Sequence, residues 1–423
     1  MVQLIKDFAR HQVRKYPYLR YHVKKLQRQL EGVESAKTYY FKALEYLDNV
    51  DVSYTQQKHE KPQNSLIEIT NACNLNCLMC NTKQSERPPS LMTPETFERI
   101  IKELQSIGIN SAGLHTVGET FVYKDIEILF EIAERHDFRP WVSTNAQFPE
   151  RIESLYSAFP KSFSDIRVSI DGARRETYEH IRVGGSFDKV VDTLEVIHRL
   201  NDGKNFYCIG TTIDSVLNMT TVYEISLLFK TFKKYVYEES INFLVITGLS
   251  PDDSYFKETF PFKHLIRAAV PCHMPFTNQY FTYDGQATMC CRDYNAEITT
   301  GDIMSQSILE IWNGPQAEKV RQQHLHPETL EINACKNCFG LHDFVTPITN
   351  HFIHFTRINM RGLSDDEFAE AVIALWEGMD DAMETRDLIG LKAFVSKAFD
   401  AVSSRQPLRP KKAYSKLSLT PNG

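Results

Sequence analysis

The sequence lacks a long apolar run, an excess of basic residues and internal repeats. No apolar run approaches the roughly 18 residues that a transmembrane helix needs, so we predict no transmembrane segment. Lys and Arg number 48 against 54 Asp and Glu, and the net charge of −6 argues against a nucleic-acid-binding protein. The first residues, MVQLIKDFARHQ, lack the pattern of a signal peptide. We therefore expect a cytoplasmic, reducing environment.

Cysteine, by contrast, is plentiful, with nine residues among 423. In a reducing compartment thiols bind metals or catalyse reactions more often than they pair. An odd number also prevents complete pairing within one chain. Three cysteines lie close together early in the chain and five lie late, whereas Cys208 stands alone.

The distribution of apolar and polar residues predicts five regions. Residues 1–62 read as a basic helical extension and linker. Residues 63–250 alternate short apolar runs with helical patterns, which is typical of a parallel sheet of βα units. Residues 251–345 read as a small loop-rich, cysteine-rich module that a metal holds together. Residues 346–403 return to helix, and residues 404–423 have the polar composition of a disordered tail.

The predicted fold class is α/β. Six predicted strands and their helices fit a partial (β/α)6 barrel, similar to a TIM barrel, better than a closed eight-stranded one. We expect Thr93 and Pro94 to begin one barrel helix, and Ser364 and Glu367 to form a capping box farther along the chain. The predicted strands are residues 65–69, 111–115, 139–143, 165–170, 206–213 and 241–247.

The early cysteines follow the first predicted strand in the order Cys73-Asn-Leu-Asn-Cys77-Leu-Met-Cys80. Thiolates are soft ligands for iron–sulfur clusters, zinc or copper. Three thiolates leave one iron of a cubane open to a substrate, whereas a four-cysteine electron carrier has no open iron. A structural zinc site is the alternative. It needs a fourth ligand, and the nearest downstream histidine, His115, lies on another predicted strand.

A CxxxCxxC motif after the first strand of a βα series resembles the radical S-adenosylmethionine (SAM) superfamily. The resemblance covers about residues 65–249. It implies that Cys73, Cys77 and Cys80 bind a [4Fe–4S] cluster whose open iron binds SAM. It also implies that the reduced cluster cleaves SAM to methionine and a 5′-deoxyadenosyl radical, which abstracts hydrogen from a substrate.

The segment HTVGE at residues 115–119 resembles the Gly-Gly-Glu element of that family, with Val117 in place of the first glycine. The resemblance implies that Gly118 and Glu119 contact SAM. A carboxylate beside the SAM ammonium would accept a charge-assisted hydrogen bond. The alternative is an ordinary turn between a strand and a helix.

Later strand ends carry further similarities. Ser143 and Asn145 lie in a segment similar to the polar strand end near the SAM ribose, and Ser169 is expected to meet SAM. Asp171 is expected to face substrate, and a turn is the alternative. Arg182 begins an RVGG segment that resembles the subgroup with C-terminal cysteine modules, and a solvated helix residue is the alternative.

The late cysteines form a second pattern. Twelve residues separate Cys272 from Gly285 and four separate Gly285 from Cys290, and a CxxC pair follows at residues 335–338. Four thiolates are the usual complement of a complete [4Fe–4S] cluster. The pattern resembles the SPASM module and its shortened twitch form. A four-cysteine zinc site is the alternative.

The late resemblance implies one auxiliary cluster, because Cys338 is the last cysteine. Cys291 could replace Cys290 as a ligand, but Cys290 has the better spacing from Gly285. The implied ligands of the auxiliary [4Fe–4S] cluster are Cys272, Cys290, Cys335 and Cys338.

The best likeness is to twitch-type carbohydrate and aminocyclitol dehydrogenases. It implies a radical SAM oxidoreductase or isomerase that oxidises or epimerises a small polar substrate, with a reductant such as flavodoxin or ferredoxin. Cys208 is ordinarily a buried thiol, but in an epimerase it could supply a hydrogen atom to the substrate. The alternatives are a peptide or protein maturase of the radical SAM/SPASM type and a non-catalytic zinc-bound scaffold.

Overall fold

The computed structural model describes residues 34–48, 58–202, 209–248, 253–268, 272–336 and 338–414. The basic N-terminal stretch and Cys208 lie outside these residues, so the expectations for them stay predictions. No helix within the described residues is long and apolar enough to cross a membrane.

A parallel sheet forms the centre of the N-terminal domain. Two isolated bridges, from Gly113 to Leu66 and to Trp141, place residue 113 between the first and second strands. The predicted strand at 111–115 is thereby reduced to one bridging residue, Gly113, since glycine weakens the interior of a strand. The pairing order is therefore β1, Gly113, β2, β3, β4, β5. The strands are β1 (Asn64–Ile67), β2 (Trp141–Thr144), β3 (Asp165–Ser169), β4 (Gly210–Leu217) and β5 (Ile241–Val245).

Helices alternate with these strands and pack against the sheet. One of them begins as predicted at Pro94, because the Thr93 hydroxyl accepts a hydrogen bond from the Thr96 amide at 3.2 Å. Its buried residues 97, 100, 101 and 104 repeat at helical spacing and form one apolar face. Helix α1 (Glu34–Asp48) precedes β1 and instead contacts the C-terminal helices. The helices that alternate with the strands are α2 (Pro94–Ser106), α3 (Ile126–Arg135), α4 (Pro149–Ala158), α5 (Arg175–Ile181), α6 (Phe187–Asp202) and α7 (Ile225–Phe232).

The cysteine-rich module continues the same sheet. The strand Asn278–Phe281 pairs in parallel with β1, on the side away from Gly113, and two antiparallel strands follow it. Within the described residues the strand Asn278–Phe281, and not β5, pairs with the outer side of β1, so the barrel is partial. The module contains β6 (Ile266–Ala268), β7 (Asn278–Phe281), β8 (Gln286–Thr288), β9 (Thr299–Asp302), β10 (Phe339–Leu341), α8 (Ser254–Thr259), α9 (Met274–Thr277), α10 (Ile308–Asn313), α11 (Pro315–Leu325) and α12 (Asn333–Lys336).

Three C-terminal helices complete the described chain: α13 (Val345–Asn359), α14 (Asp365–Glu384) and α15 (Leu388–Ser403). Helix α13 covers the edge strand β5 and satisfies its backbone. The Phe243 amide donates to Asn350 at 2.9 Å, and the Val245 amide donates to Thr346 at 3.2 Å. An unpaired strand edge would otherwise expose these groups. The predicted capping box of Ser364 and Glu367 is confirmed at the start of α14.

Residues 404–414 contact the folded part of the chain, whereas the sequence predicts a disordered tail from residue 404. The Tyr414 hydroxyl and the Lys411 amide both donate to Glu377, at 3.2 and 2.6 Å. The Glu377 carboxylate is buried on α14 and needs such donors. Leu408 and Tyr414 also pack against the core. Polar composition concealed these two apolar contacts.

Candidate active site

The carboxyl ends of the parallel strands meet at a cavity of about 850 Å³. This is the end of a βα barrel at which loops from several strands can present side chains to one point. The structure brings together here every early-motif and SAM-contact residue predicted within the barrel. These residues are Cys73, Cys77, Cys80, Gly118, Glu119, Ser143, Asn145 and Ser169.

The three-cysteine loop is held by the segment that ends α5. The Leu78 amide donates to the Ile181 carbonyl, and the Asn76 amide donates to the Val183 carbonyl, both at 2.9 Å. Gly184 follows with φ of +88°, a conformation that favours glycine. The RVGG segment therefore shapes the cysteine loop. Burial raises the pKa of the Cys77 thiol to about 11, which makes the thiolate costly to form. A bound iron would offset the cost of losing the proton, because metal binding deprotonates thiols.

Gly118 and Glu119 are placed by a close backbone approach. A Cβ at Gly118, whose φ is +84°, would lie 2.5 Å from the Thr70 carbonyl oxygen, so only glycine is tolerated. The Glu119 carboxylate accepts hydrogen bonds from the Asn145 amide and the Thr144 hydroxyl, both at 2.7 Å. Burial raises the pKa of Glu119, and these hydrogen bonds oppose the rise. The arrangement orients a carboxylate at the cavity wall.

Asp171 does not line the cavity, in contrast to the expectation that it faces substrate. Its side chain is fully buried, and it accepts hydrogen bonds from the Val216 amide and the Arg182 guanidinium, both at 2.7 Å. Arg182, rather than a solvated residue, lines the cavity with only 12% of its side chain exposed. A buried guanidinium needs a paired charge. Asp171 supplies that charge and lies outside the cavity lining, whereas Arg182 lines the cavity.

Replacing Asp171 by asparagine is expected to lower the free energy of unfolding by about 3–5 kcal/mol, because the Arg182 charge stays buried without its partner. Urea unfolding of the full chain, followed by circular dichroism, measures the change. The matched control is Asp188→Asn in the solvent-exposed pair with Arg175, which should change stability little. Equal stabilities of the two variants would contradict this account.

Part of the remaining cavity wall comes from the cysteine-rich module and from α13, and the sequence analysis did not predict it. Cys291 and Arg292 line this wall, as does Asp343, whose Oδ2 lies 3.3 Å from His273 Nδ1. His273 directly follows Cys272, so the position of the late motif was a usable signal. Asp343 had no comparable signal. Helix α13 contributes Thr346, Pro347, Asn350 and His351.

The four late cysteines of the predicted second site surround a smaller cavity of about 160 Å³. Cys290 lies with them, whereas its neighbour Cys291 lines the large cavity instead. Burial raises the pKa of the Cys335 thiol to about 12. The cysteines of the small cavity are Cys272, Cys290, Cys335 and Cys338.

The donor set of the small cavity suits an iron–sulfur cluster. Within the described ranges, no three His, Cys, Asp or Glu side chains converge on a position for one metal ion. Each thiolate of a [4Fe–4S] cluster binds a different iron, so its four cysteines stand apart around a space, as they do here. The early motif offers three thiols to the large cavity. The other cysteine in the lining of that cavity is Cys291, which comes from the cysteine-rich module.

The two cavities are neighbours. Met274, Arg292 and Tyr294 line both of them. A group in the small cavity is therefore separated from the large one by shared side chains.

Comparisons with known proteins agree with this division of the chain. A family model of the radical SAM superfamily matches residues 67–220, and one of the iron–sulfur cluster-binding SPASM domain matches residues 272–339. The native anSMEcpe structure with bound AdoMet has a TM-score of 0.50 and 15% identity, and covers 70% of this chain and 98% of that chain. This likeness shows the fold alone.

Two relatives are similar over part of their length. The mycofactocin maturase MftC of Mycolicibacterium smegmatis is 32% identical over 130 residues, which are 30% of this chain and 32% of the relative. The AdoMet-dependent heme synthase of Methanosarcina barkeri is 30% identical over 136 residues, which are 31% of this chain and 38% of the relative. The similarity thus spans about a third of these relatives.

The two domain matches account for both cysteine sets, and they give no support to a zinc-bound scaffold. They imply SAM and a [4Fe–4S] cluster for the first domain and an auxiliary cluster for the second. The expected α/β fold with a partial barrel and a C-terminal cysteine-rich module is confirmed. The chain therefore contains a radical SAM domain at residues 67–220, followed by an iron–sulfur cluster-binding SPASM domain at residues 272–339.

Proposed function

We propose that this enzyme oxidises a small polar substrate, such as a carbohydrate or an aminocyclitol, at a carbon that bears a hydroxyl group. The observation that supports this most is the shared wall between the two cavities, formed by Met274, Arg292 and Tyr294. Oxidation of an alcohol to a carbonyl requires a place for an electron close to the substrate, and a neighbouring iron–sulfur cluster suits that need. Epimerisation at the same carbon would not require it.

Each cysteine set is proposed to hold one iron–sulfur cluster. Cys73, Cys77 and Cys80 hold the SAM-binding cluster, and Gly118, Glu119, Ser143, Asn145 and Ser169 contact SAM. Cys272, Cys290, Cys335 and Cys338 hold the second cluster. When bound, these groups supply a radical that removes one hydrogen atom from the substrate and an acceptor for one electron.

The chain itself must bind the substrate and accept the proton that the hydroxyl group loses. Apart from Glu119, Asp343 is the carboxylate that the described lining of the large cavity provides. We assign it the hydroxyl proton, with His273 beside it to orient the carboxylate. Asn242, Thr346 and Asn350 add polar groups to the same lining, as recognition of a hydroxylated molecule requires. We expect flavodoxin or ferredoxin to supply the starting electron.

Deuterium transfer tests the proposal. The reconstituted enzyme is incubated under reductant with SAM and a panel of perdeuterated monosaccharides and aminocyclitols. Deuterium in 5′-deoxyadenosine, together with a new carbonyl in the substrate, supports oxidation. Deuterium transfer with loss of configuration and no carbonyl would replace oxidation by epimerisation. No transfer from any member would contradict a small polar substrate.

A peptide or protein maturase is the second candidate, and the similarity to the mycofactocin maturase MftC favours it. The observation that separates the two is the substrate that stimulates SAM cleavage. If peptides encoded beside the gene stimulate formation of 5′-deoxyadenosine and sugars do not, the maturase is the correct function.

Replacing Glu119 by glutamine is expected to weaken SAM binding by roughly 10- to 150-fold, since a hydrogen bond to a charged group contributes about 1.5–3 kcal/mol. Equilibrium dialysis of the reconstituted enzyme with labelled SAM measures the dissociation constant. Glu131→Gln, on the exposed side of α3, is the control for lost charge and should bind SAM normally. A Glu119→Gln affinity within twofold of that control would disprove the contact.

A further inference from the structure

A buried histidine lies beside the second cysteine set and has no part in the function proposed above. His324, on α11, is 2% exposed and lines the small cavity. Its Nε2 lies 3.6 Å from the Sγ of Cys335, within hydrogen-bond distance for sulfur. Neither the sequence pattern nor the spacing of the cysteines indicated this residue.

The helix that carries His324 is fixed to both halves of the cysteine set. The Gln323 side-chain oxygen accepts hydrogen bonds from the amides of Glu331 and Ile332, just before Cys335, at 2.8 and 3.3 Å. Arg321 Nε donates to the Pro275 carbonyl, three residues after Cys272, at 2.9 Å. The position of His324 on this helix is therefore fixed relative to both halves of the cysteine set.

The direction of the hydrogen bond follows from the chemistry of the sulfur. A cysteine bound to iron is a thiolate, which carries no proton and can only accept. Nε2 must then carry the ring proton and donate it to the sulfur. The backbone amide of Arg292 makes a similar contact with Cys290 Sγ at 3.4 Å, but a side-chain substitution cannot remove that donor.

We propose that His324 donates a hydrogen bond to the Cys335 sulfur and thereby raises the reduction potential of the second cluster. Hydrogen bonds to cluster sulfurs and ligands set the potential. The reduced cluster carries one more negative charge than the oxidised cluster, so a donor stabilises the reduced form more. A higher potential favours transfer of an electron from a substrate radical. The inference rests on the proposed position of the second cluster, and His324 acts through that cluster without contacting substrate.

A redox titration of the full chain tests the inference. The Cys77→Ala background leaves the second cluster as the source of the signal, which is followed by electron paramagnetic resonance. His324→Leu should shift the midpoint potential downward. His324→Gln, which keeps an N–H donor, should have a potential close to that of the chain with His324. His326→Leu is the matched control, because this exposed histidine lies two residues away from His324. The midpoint potential of the second cluster should not change in this variant. An unchanged potential in His324→Leu at full iron content would overturn the inference.

A second measurement decides the case if His324→Leu does not retain iron. In the Cys77→Ala chain, which keeps His324, ¹⁵N labelling of histidine should give the reduced second cluster a ¹⁵N coupling and an exchangeable proton in pulsed electron paramagnetic resonance. Absence of both would overturn the hydrogen bond. Absence of a second cluster in the unsubstituted chain, seen by iron counting, would instead overturn the proposed cluster position. The two failures are therefore distinguishable.

Discussion

Replacing Cys77 by alanine is expected to reduce formation of 5′-deoxyadenosine from SAM to the background without enzyme. Two remaining thiols of the early motif cannot hold the cluster whose open iron binds SAM. Iron content should fall from about eight to about four per chain, because the second set of cysteines is untouched. The assay is chromatographic quantification of 5′-deoxyadenosine after anaerobic reconstitution with reductant.

The control for this substitution is Asn76→Ala, an exposed side chain in the same loop. The Asn76 amide holds the loop to Val183, and the substitution leaves that backbone contact in place. SAM cleavage should therefore persist. Cleavage that survives Cys77→Ala would show that the early cysteines do not bind the SAM cluster.

Replacing Cys335 by alanine is expected to remove about four irons and leave SAM cleavage intact. The two cysteine sets line different cavities, so loss of the second cluster should not disturb the first. Oxidation of the substrate should stop, because its last electron has no acceptor. Iron and sulfide analysis, with parallel assays of 5′-deoxyadenosine and oxidised product, measures all three effects.

The matched control is Cys291→Ala. Cys291 adjoins a proposed ligand in sequence but lines the large cavity. The chain should keep about eight irons. If instead Cys291→Ala loses four irons and Cys290→Ala keeps them, the assignment of Cys290 as the ligand is wrong.

Local patterns predicted the parts of the fold that depend on neighbouring residues. The capping box at Ser364 and the helix start at Pro94 need only a few adjacent side chains, and both are confirmed. Strand–helix alternation likewise predicted the α/β fold. At Gly113 the pattern failed, because pairing there is limited to one isolated bridge from Gly113 to Leu66 and another from Gly113 to Trp141.

Contacts between distant residues were beyond the sequence. Asp171 reads as a turn or a substrate contact, and only the folded chain shows its carboxylate buried beside Arg182. The contact of His324 with Cys335 depends on how α11 packs, which no spacing rule encodes. The choice between Cys290 and Cys291 could be argued from spacing to Gly285, yet their different cavities appear only in three dimensions.

The central claim is that this chain holds two clusters and cleaves SAM with the first. Iron and sulfide counting on the anaerobically reconstituted chain, paired with quantification of 5′-deoxyadenosine under reductant, tests it most directly. The account predicts about eight irons and eight sulfides per chain, with SAM cleavage. Zinc in place of iron, and no 5′-deoxyadenosine, would contradict it.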